Sequence, residues 1–301
     1  GTGDWSSDVC SSDLGFMSKK VAIVTDSTGY LPSDLIAKHD LTVLPLEVIW
    51  GDETFKDGVD IQPSEFYTRL QTAKVMPSTS QVTIPYMHEA FEKLVAEGYD
   101  VLGVFISEKL SGTNNSAVQG RSMMKSGQEH VHIFDSRQTA MSLGFQALAA
   151  ARAAQDGASI EDCLAVAEKA RDNTGVYFAV DTLEFLHRGG RIGGAKRLMG
   201  TAMKVKPILS VQEGLVASIE SVRTKKKAHL RVLEIIKDEI GDRTPIHLAT
   251  LNANATEDAQ ALLKLAQQEM DVVEVIHSEV SPVIGTHVGP GTVGLAYMAG
   301  L

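Results

Sequence analysis

The chain has 301 residues with a formal net charge of −10, 44% apolar residues and 22% charged residues. This composition is typical of a globular chain with a sizeable core, and the length suits one large or two ordinary domains. The negative charge argues against broad nucleic-acid binding, which needs a basic surface. No apolar run reaches the 18 residues of a membrane-spanning helix, so we expect no integral membrane segment.

The first 16 residues differ from the rest of the chain. The stretch "DWSSDVCSSDL" lacks the basic start and apolar centre of a signal peptide. It resembles the translation of sequencing-adapter DNA, so we interpret residues 1–16 as a cloning or assembly scar and Met17 as the natural start. A native disordered tail is the alternative. Cys10 lies in this stretch and leaves only Cys163, which cannot form an internal disulfide; this predicts a reducing cytoplasm.

The first half alternates apolar runs with helical patterns. The predicted strands are 21–27, 41–49, 101–107 and 131–136, and the predicted helices are 63–72, 86–98, 114–125 and 145–157. Nearly continuous apolar strands separated by helices indicate a parallel sheet covered on both faces. We therefore predict an α/β, Rossmann-like N-terminal domain over residues 17–172.

The second half has a different pattern. A helix (160–173) and a strand (176–180) precede a Gly/Arg stretch (187–200). A hairpin (207–221) follows, and after it come a helix (226–241), a strand (245–251), a helix (256–269) and a strand (272–280). Strands in and beside a hairpin favour a mixed sheet. We predict an α+β domain over residues 173–301, with a ligand held between the two domains.

Three predicted strands of the first half end in polar residues. These are Asp26, Ser27 and Thr28, then Ser107 to Thr113, then Asp135 and Ser136. Parallel strands bring their carboxyl ends to one edge of the sheet, where ligands bind in open α/β folds. This convergence predicts a binding site that includes Asp26 and Ser27.

The segment Ser111-Gly112-Thr113 lies between a predicted strand and a predicted helix. Gly112 lets the backbone approach a ligand closely, and the unpaired N–H groups of the helix start attract a carboxylate or phosphate. The alternative is simple helix capping, because Ser, Thr and Asn are favoured N-cap residues. With the neighbouring strand ends counted, binding is the favoured interpretation.

Three further segments carry candidate site residues. "PSTSQ" (77–81) offers hydroxyls for a head-group pocket, or forms a solvated turn. In "GTHVGPGTVG" (285–294), His287 between glycine-rich turns can donate to an anion or act as a base. Gly289 opens a formal G-x-G-x-x-G, but Pro290 and the short remaining chain rule out a dinucleotide fold. In "HRGGRIGG", Arg188 and Arg191 are suited to contact an anion or a partner protein. The alternative is that the segment is only a solvated loop.

The motifs together are more specific than any one of them. "VAIVTDSTGYLP", "VLPLEV", "DGVDIQPSEFY", "PSTSQ", "SEKLSGTNNSA", "RGGRI", "KVKPILSVQEG" and "GTHVGPGTVG" occur in this order from about residue 20 to the end. The chain resembles the DegV family of bacterial fatty-acid-binding proteins. The resemblance implies two domains with a long-chain fatty acid between them. It also implies a carrier that presents the carboxyl group to a fatty acid kinase, so that the acyl phosphate enters lipid synthesis.

The resemblance also implies the carboxylate contacts. They fall on Thr79, Ser111 and His287. On physical grounds Thr79, Ser111 and the helix N–H groups could supply donors, and a protonated His287 could add charge. Other residues expected in the pocket or at a partner contact are Ser80, Gly112, Thr113, Asp26, Ser27, Arg188, Arg191 and Gly289. The usual proline after Gln81 is replaced by Val82, which changes the expected local turn.

Two other functions compete with a carrier. A serine hydrolase of acyl substrates would use Ser111 as nucleophile and His287 as base, with Asp26 orienting the histidine. The absent G-x-S-x-G elbow counts against it. A nucleotide or sugar-phosphate binder would use the same strand ends. No metal-ligand pattern or cofactor motif occurs, so we expect a lipid-binding carrier with no catalytic residues, metal or cofactor.

Overall fold

The computed structural model describes residues 19–200 and 205–301. The interpretation of residues 1–16 as a scar, with Cys10 and Met17, lies outside these residues. The strands are β1 (Val21–Asp26), β2 (Thr42–Leu44), β3 (Glu47–Trp50), β4 (Glu53–Lys56), β5 (Ser78–Ser80), β6 (Asp100–Phe105), β7 (Val131–Asp135), β8 (Thr174–Ala179), β9 (Lys206–Gln212), β10 (Leu215–Val222), β11 (Ile246–Asn252), β12 (Val272–Ile276) and β13 (Val293–Ala299).

The helices alternate with these strands. They are α1 (Ser33–Lys38), α2 (Pro63–Thr72), α3 (Ile84–Ala96), α4 (Thr113–Ser122), α5 (Ala140–Gln155), α6 (Ile160–Asn173), α7 (Glu184–Arg188), α8 (Lys225–Ile240), α9 (Thr256–Glu269) and α10 (Pro282–Val288). Within residues 19–200 and 205–301, no helix is long and apolar enough to cross a membrane.

The strands form three sheets. One is wholly parallel in the order β2-β1-β6-β7, and a second has six strands in the order β10-β9-β8-β13-β11-β12. In the second sheet only β11 and β12 pair in parallel, and the other neighbours are antiparallel. The predicted fold class, a parallel sheet plus a mixed sheet in an α/β chain, is confirmed.

The prediction of one strand over 41–49 is wrong. The chain breaks at Pro45, which has no N–H to donate to a sheet. β2 before the break joins the parallel sheet, whereas β3 after it belongs to a small antiparallel sheet in the order β4-β3-β5. This third sheet carries Ser78, Thr79 and Ser80 on β5 and brings "PSTSQ" toward the site.

Helix α5 lies between the two large sheets. Residues 140–151 are all buried, and the helix contacts β1 and β6 of the parallel sheet as well as β8, β11 and β13 of the mixed sheet. Its many alanines permit this, because small side chains let a helix approach sheets on both sides. The domain division at residue 172 stays a prediction; β8, the first strand of the mixed sheet in chain order, begins at Thr174.

The expectation of glycine-rich turns around His287 is wrong for the residues before it. Pro282 and Ser281 start helix α10, since Ser281 Oγ accepts the N–H of Ile284 at 3.2 Å. His287 therefore sits in the last helical turn, where Gly289 ends the helix at φ 79°. The residues after Gly289 lead into β13, a central strand of the mixed sheet.

Candidate functional site

A cavity lies where the three sheets and α10 meet. Its empty space, counted with the open mouth, is about 790 Å³. The apolar lining comes from Leu46, Ile106, Leu110, Ala140, Val176, Phe178, Leu186, Val211, Val216, Leu251, Val283, Ile284 and Val288. The polar lining comes from Thr79, Ser80, Gln81, Ser111, Thr139, Arg191 and His287. A mostly apolar space with a few polar groups suits an apolar molecule with a polar end.

Thr79 and His287 form a hydrogen-bonded pair in the cavity wall. Thr79 Oγ1 lies 2.8 Å from His287 Nε2, although the residues are 208 positions apart. The other ring nitrogen, Nδ1, is buried without a hydrogen-bond partner among the described residues. Gly189 packs directly against it. A buried N–H without an acceptor is costly, so we assign the proton to Nε2, which leaves the Thr79 hydroxyl proton available to a ligand.

His287 is neutral at physiological pH in this structure. Burial of the ring, together with the smaller effect of the nearby Arg191 guanidinium, lowers its pKa to about 4. The expectation of a protonated His287 is therefore wrong: the desolvation of the ring and a like charge both oppose a second proton. Positive charge at the site comes from Arg191 instead.

Arg191 lies at the mouth of the cavity. Its Nε donates to the Leu110 carbonyl at 3.1 Å and its Nη1 to the Gly189 carbonyl at 2.8 Å. No acidic side chain pairs with it among the described residues, so its charge is not neutralised. Arg188, by contrast, pairs with Glu184 one turn earlier.

A second cavity, with a more polar lining, adjoins the first. Thr79, Arg191 and His287 line both, and Arg188 and Ser78 line the second only. The Thr79–His287 pair thus separates an apolar chamber from a polar vestibule. A polar end group held by this pair would lie beside the vestibule.

Ser111 combines the two roles considered for it. Its Oγ lies 2.9 Å from Thr113 Oγ1 and accepts the Thr113 N–H at 3.3 Å, so it satisfies the start of α4. Ser111 also lines the cavity, whereas Thr113 is buried behind it. Asn114 ties the helix to the end of β6 by donating to the Ile106 carbonyl at 2.6 Å. Capping and ligand contact are therefore compatible at this helix start.

Gly112 allows the Gln81 side chain to pack closely against the backbone in this structure. A Cβ there would lie 3.1 Å from the side-chain carbon of Gln81, which lines the cavity. The glycine lets the segment after β5 approach the segment after β6. Ser80, next to Gln81, also lines the cavity. Gly289 does not line it, and a Cβ at that position would collide with Phe185 of α7.

Asp26 and Ser27 lie outside the cavity lining. Asp26 is buried and accepts the Thr28 N–H at 2.9 Å and the Ile106 N–H at 2.7 Å, which joins the ends of β1 and β6. Burial raises its pKa despite these bonds. Ser27 Oγ donates to Asp57 at 2.8 Å and accepts the Leu46 N–H at 3.0 Å. Both residues support the framework beneath the site.

Asp57 is a framework residue that sequence reasoning missed. Its carboxylate accepts from Ser27 and, at 3.2 Å, from the Val283 N–H at the start of α10. Burial raises its pKa to about 7. Asp57 therefore fastens α10 to the parallel sheet. The quoted "DGVDIQPSEFY" motif contained this residue, but nothing in its sequence indicated a contact 226 residues away.

The hydrolase alternative needs a Ser–His–Asp chain that the described residues do not form. His287 Nε2 faces Thr79 rather than Ser111, and the Ser111 hydroxyl is 2.9 Å from Thr113. The Asp26 carboxylate is bonded to Thr28 and Ile106. Among these residues there is also no cluster of three or more acidic, His or Cys side chains that could hold a metal ion.

Comparison with known proteins identifies the family. The model described as "Uncharacterised protein, DegV family" matches residues 20–300. The chain belongs to the DegV family. A DegV domain-containing protein of Clostridium perfringens is 35% identical over 279 residues, which span 92% of this chain and 98% of the relative.

Solved structures of DegV family members agree with this fold. A structure described as fatty acid binding of a DegV family protein from Thermus thermophilus has a TM-score of 0.87 at 32% identity, covering 93% of this chain and 99% of that one. DegV of Bacillus subtilis, described as a fatty acid binding protein, has a TM-score of 0.85 at 32% identity, covering 94% and 100%.

Proposed function

We propose that this protein binds a long-chain fatty acid in the cavity between its large sheets, with the Thr79 and Ser111 hydroxyls contacting the carboxylate and His287 orienting Thr79. The observation that carries the proposal is an apolar chamber that ends at the hydrogen-bonded Thr79–His287 pair. The DegV relatives described as fatty acid binding, from Thermus thermophilus and Bacillus subtilis, support the ligand class.

The acyl chain supplies most of the binding free energy in this proposal. Each buried methylene contributes roughly 0.8 kcal/mol, so about 14 methylenes offer on the order of 11 kcal/mol. Association and ordering costs are subtracted from that sum. The polar groups then need only orient the head group and compensate its desolvation.

The carboxylate requires partners because an unpaired buried charge is expensive. Thr79 and Ser111 offer hydroxyl donors, and neutral His287 fixes Thr79 through its Nε2 proton. Arg191 at the mouth adds an unpaired positive charge near His287. This arrangement binds a carboxylate without a catalytic residue, so we propose a carrier rather than an enzyme.

We also propose that the protein presents the carboxyl group to a fatty acid kinase in the cytoplasm, which phosphorylates it for phospholipid synthesis. The vestibule supports this step, since it shares Thr79, Arg191 and His287 with the apolar chamber. A kinase that approaches there reaches the head group while the chain stays buried. Arg188 and Arg191 are exposed on this side and are available for partner contact.

Replacement of Ser111 by alanine separates binding from presentation. We expect Ser111→Ala to reduce acyl phosphate formation by a fatty acid kinase at least tenfold and to raise the Kd for palmitate less than threefold. The physical reason is that the chain supplies most of the affinity, whereas the hydroxyl orients the head. Isothermal titration gives the Kd, and radiolabelled ATP with added kinase gives the acyl phosphate.

Ser64→Ala on the exposed face of α2 is the matched control and should change neither quantity. Equal losses of binding and phosphorylation in Ser111→Ala would contradict this division. If the added kinase phosphorylates palmitate bound to the variant at the normal rate, the role of Ser111 in presentation is contradicted.

A further inference from the structure

Helix α5 begins in the cavity wall with an uncapped first turn. Thr139 occupies the N-cap position in an extended conformation, but its side chain makes no capping hydrogen bond. Among the described residues, no acceptor bonds to the N–H groups of Ala140, Met141 or Ser142. All three residues are buried. A buried helix start ordinarily has partners for these donors, so this one is an exception that needs a reason.

The Thr139 hydroxyl shows the same property. The residue is only 8% exposed and lines the cavity, and its Oγ1 has no hydrogen-bond partner among the described residues. Buried hydroxyls in folded proteins almost always have a partner. Ala140 also lines the cavity, so the Thr139 hydroxyl and the Ala140 N–H form a pair of unused donors at the cavity wall.

The backbone around Thr139 is held in an unfavourable conformation. Ala140 has φ 52° and Arg137 has φ 53°, and both are non-glycine residues in the left-handed region. Such a conformation costs on the order of 1 kcal/mol per residue. It keeps Thr139 at the cavity rather than over the first turn of α5.

The segment before α5 is held in place by contacts with β9 and with the segment after β6. Neighbouring Gln138 donates from its side chain to the Val211 carbonyl on β9 at 3.1 Å and accepts the Ser107 N–H at 2.9 Å. Thr139 is thereby held beside the apolar wall formed by the mixed sheet. No hydrogen bond joins it to Thr79 or His287 among the described residues.

We propose that the start of α5 is a second polar subsite, which binds an oxygen atom carried on the acyl chain. The cavity then prefers a hydroxy or oxo fatty acid to the unsubstituted acid of the same length; this rests on the proposed function. Thr139 Oγ1 and the Ala140 N–H donate to that oxygen. A neutral oxygen suits a site among apolar walls, because burying a second charge would cost far more.

The free energy at stake is modest but measurable. One hydrogen bond contributes about 1 kcal/mol net, a factor of about five in Kd. An unsubstituted acyl chain covers the same donors without accepting a hydrogen bond from them. Its binding free energy therefore carries a penalty of about 1 kcal/mol or more. We therefore expect one positional isomer of hydroxystearate to bind at least tenfold more tightly than stearate.

The test uses the full chain after removal of bound lipid. Stearate and a positional series of hydroxystearates are titrated into the wild type, Thr139→Val and Thr139→Ser. Valine has nearly the shape of threonine without its hydroxyl, and serine restores the hydroxyl. We expect Thr139→Val to bind stearate more tightly than the wild type does, and to bind the preferred isomer about fivefold more weakly. We expect Thr139→Ser to keep the preference for that isomer over stearate.

Each result decides the proposal. If no isomer binds the wild type better than stearate, or if the preference survives unchanged in Thr139→Val, the second subsite is refuted. The wild-type titrations give this answer even if a variant fails to fold. Binding of neither stearate nor any isomer would instead refute the proposed function itself, so the two failures are distinguishable.

Discussion

Replacement of Ile284 by tryptophan is expected to weaken long-chain fatty acid binding at least a hundredfold. Ile284 lies on α10 and lines the cavity, and an indole in its place fills part of the space for the chain. Excluding about four methylenes removes about 3 kcal/mol of burial, which corresponds to a factor above one hundred in Kd. Titration with palmitate measures the change.

Val273→Trp is the matched control, because Val273 on β12 is 60% exposed and does not line the cavity. It should leave the Kd for palmitate unaffected. A thermal melt of both variants shows whether the Ile284 variant is folded, since overpacking typically costs 1–3 kcal/mol of stability. A folded Ile284→Trp protein that binds palmitate as the wild type does would show that the chain lies elsewhere.

Replacement of Gly189 by alanine is expected to impair the head-group site. A Cβ at this position would collide with His287 Nδ1, although the backbone conformation there suits any residue. His287 must move, and its 2.8 Å bond to Thr79 is lost. We expect acyl phosphate formation by an added fatty acid kinase to fall at least thirtyfold, because a misplaced head group loses the geometry for transfer.

Gly194→Ala tests whether the effect is specific to His287. Gly194 lies close by in the chain, and a Cβ there would meet its nearest atom at an ordinary 3.7 Å. We expect near-normal acyl phosphate formation from this variant. If the added kinase forms acyl phosphate equally well with Gly189→Ala and with the wild type, the position of His287 does not govern presentation.

The elements with strong local patterns were predictable from the sequence. The helices α2, α6 and α9 have the predicted bounds, because each combines an amphipathic pattern with clear ends such as Pro63. The predicted hairpin is confirmed as β9 and β10. The break at Pro45 was visible in the sequence, but a continuous apolar run masked it.

The arrangement of the site depended on contacts that no local pattern records. Thr79 and His287 are separated by 208 residues, and Asp57 reaches Val283 across 226. The resemblance to the DegV family named Thr79, Ser111 and His287, yet it did not indicate that burial keeps His287 neutral. Thr139 was missed because the predicted helix began at residue 145, whereas α5 begins at Ala140, so the sequence did not place Thr139 at a helix start.

The identity of the ligand that accompanies the purified protein tests the account most directly. Native mass spectrometry gives the mass of the complex, and extraction into organic solvent followed by mass spectrometry gives the ligand. We predict one bound molecule per chain that extracts as a long-chain fatty acid, with the carboxyl group free. A bound phosphorylated polar molecule that stays in the aqueous phase would contradict the assignment of the cavity to an acyl chain.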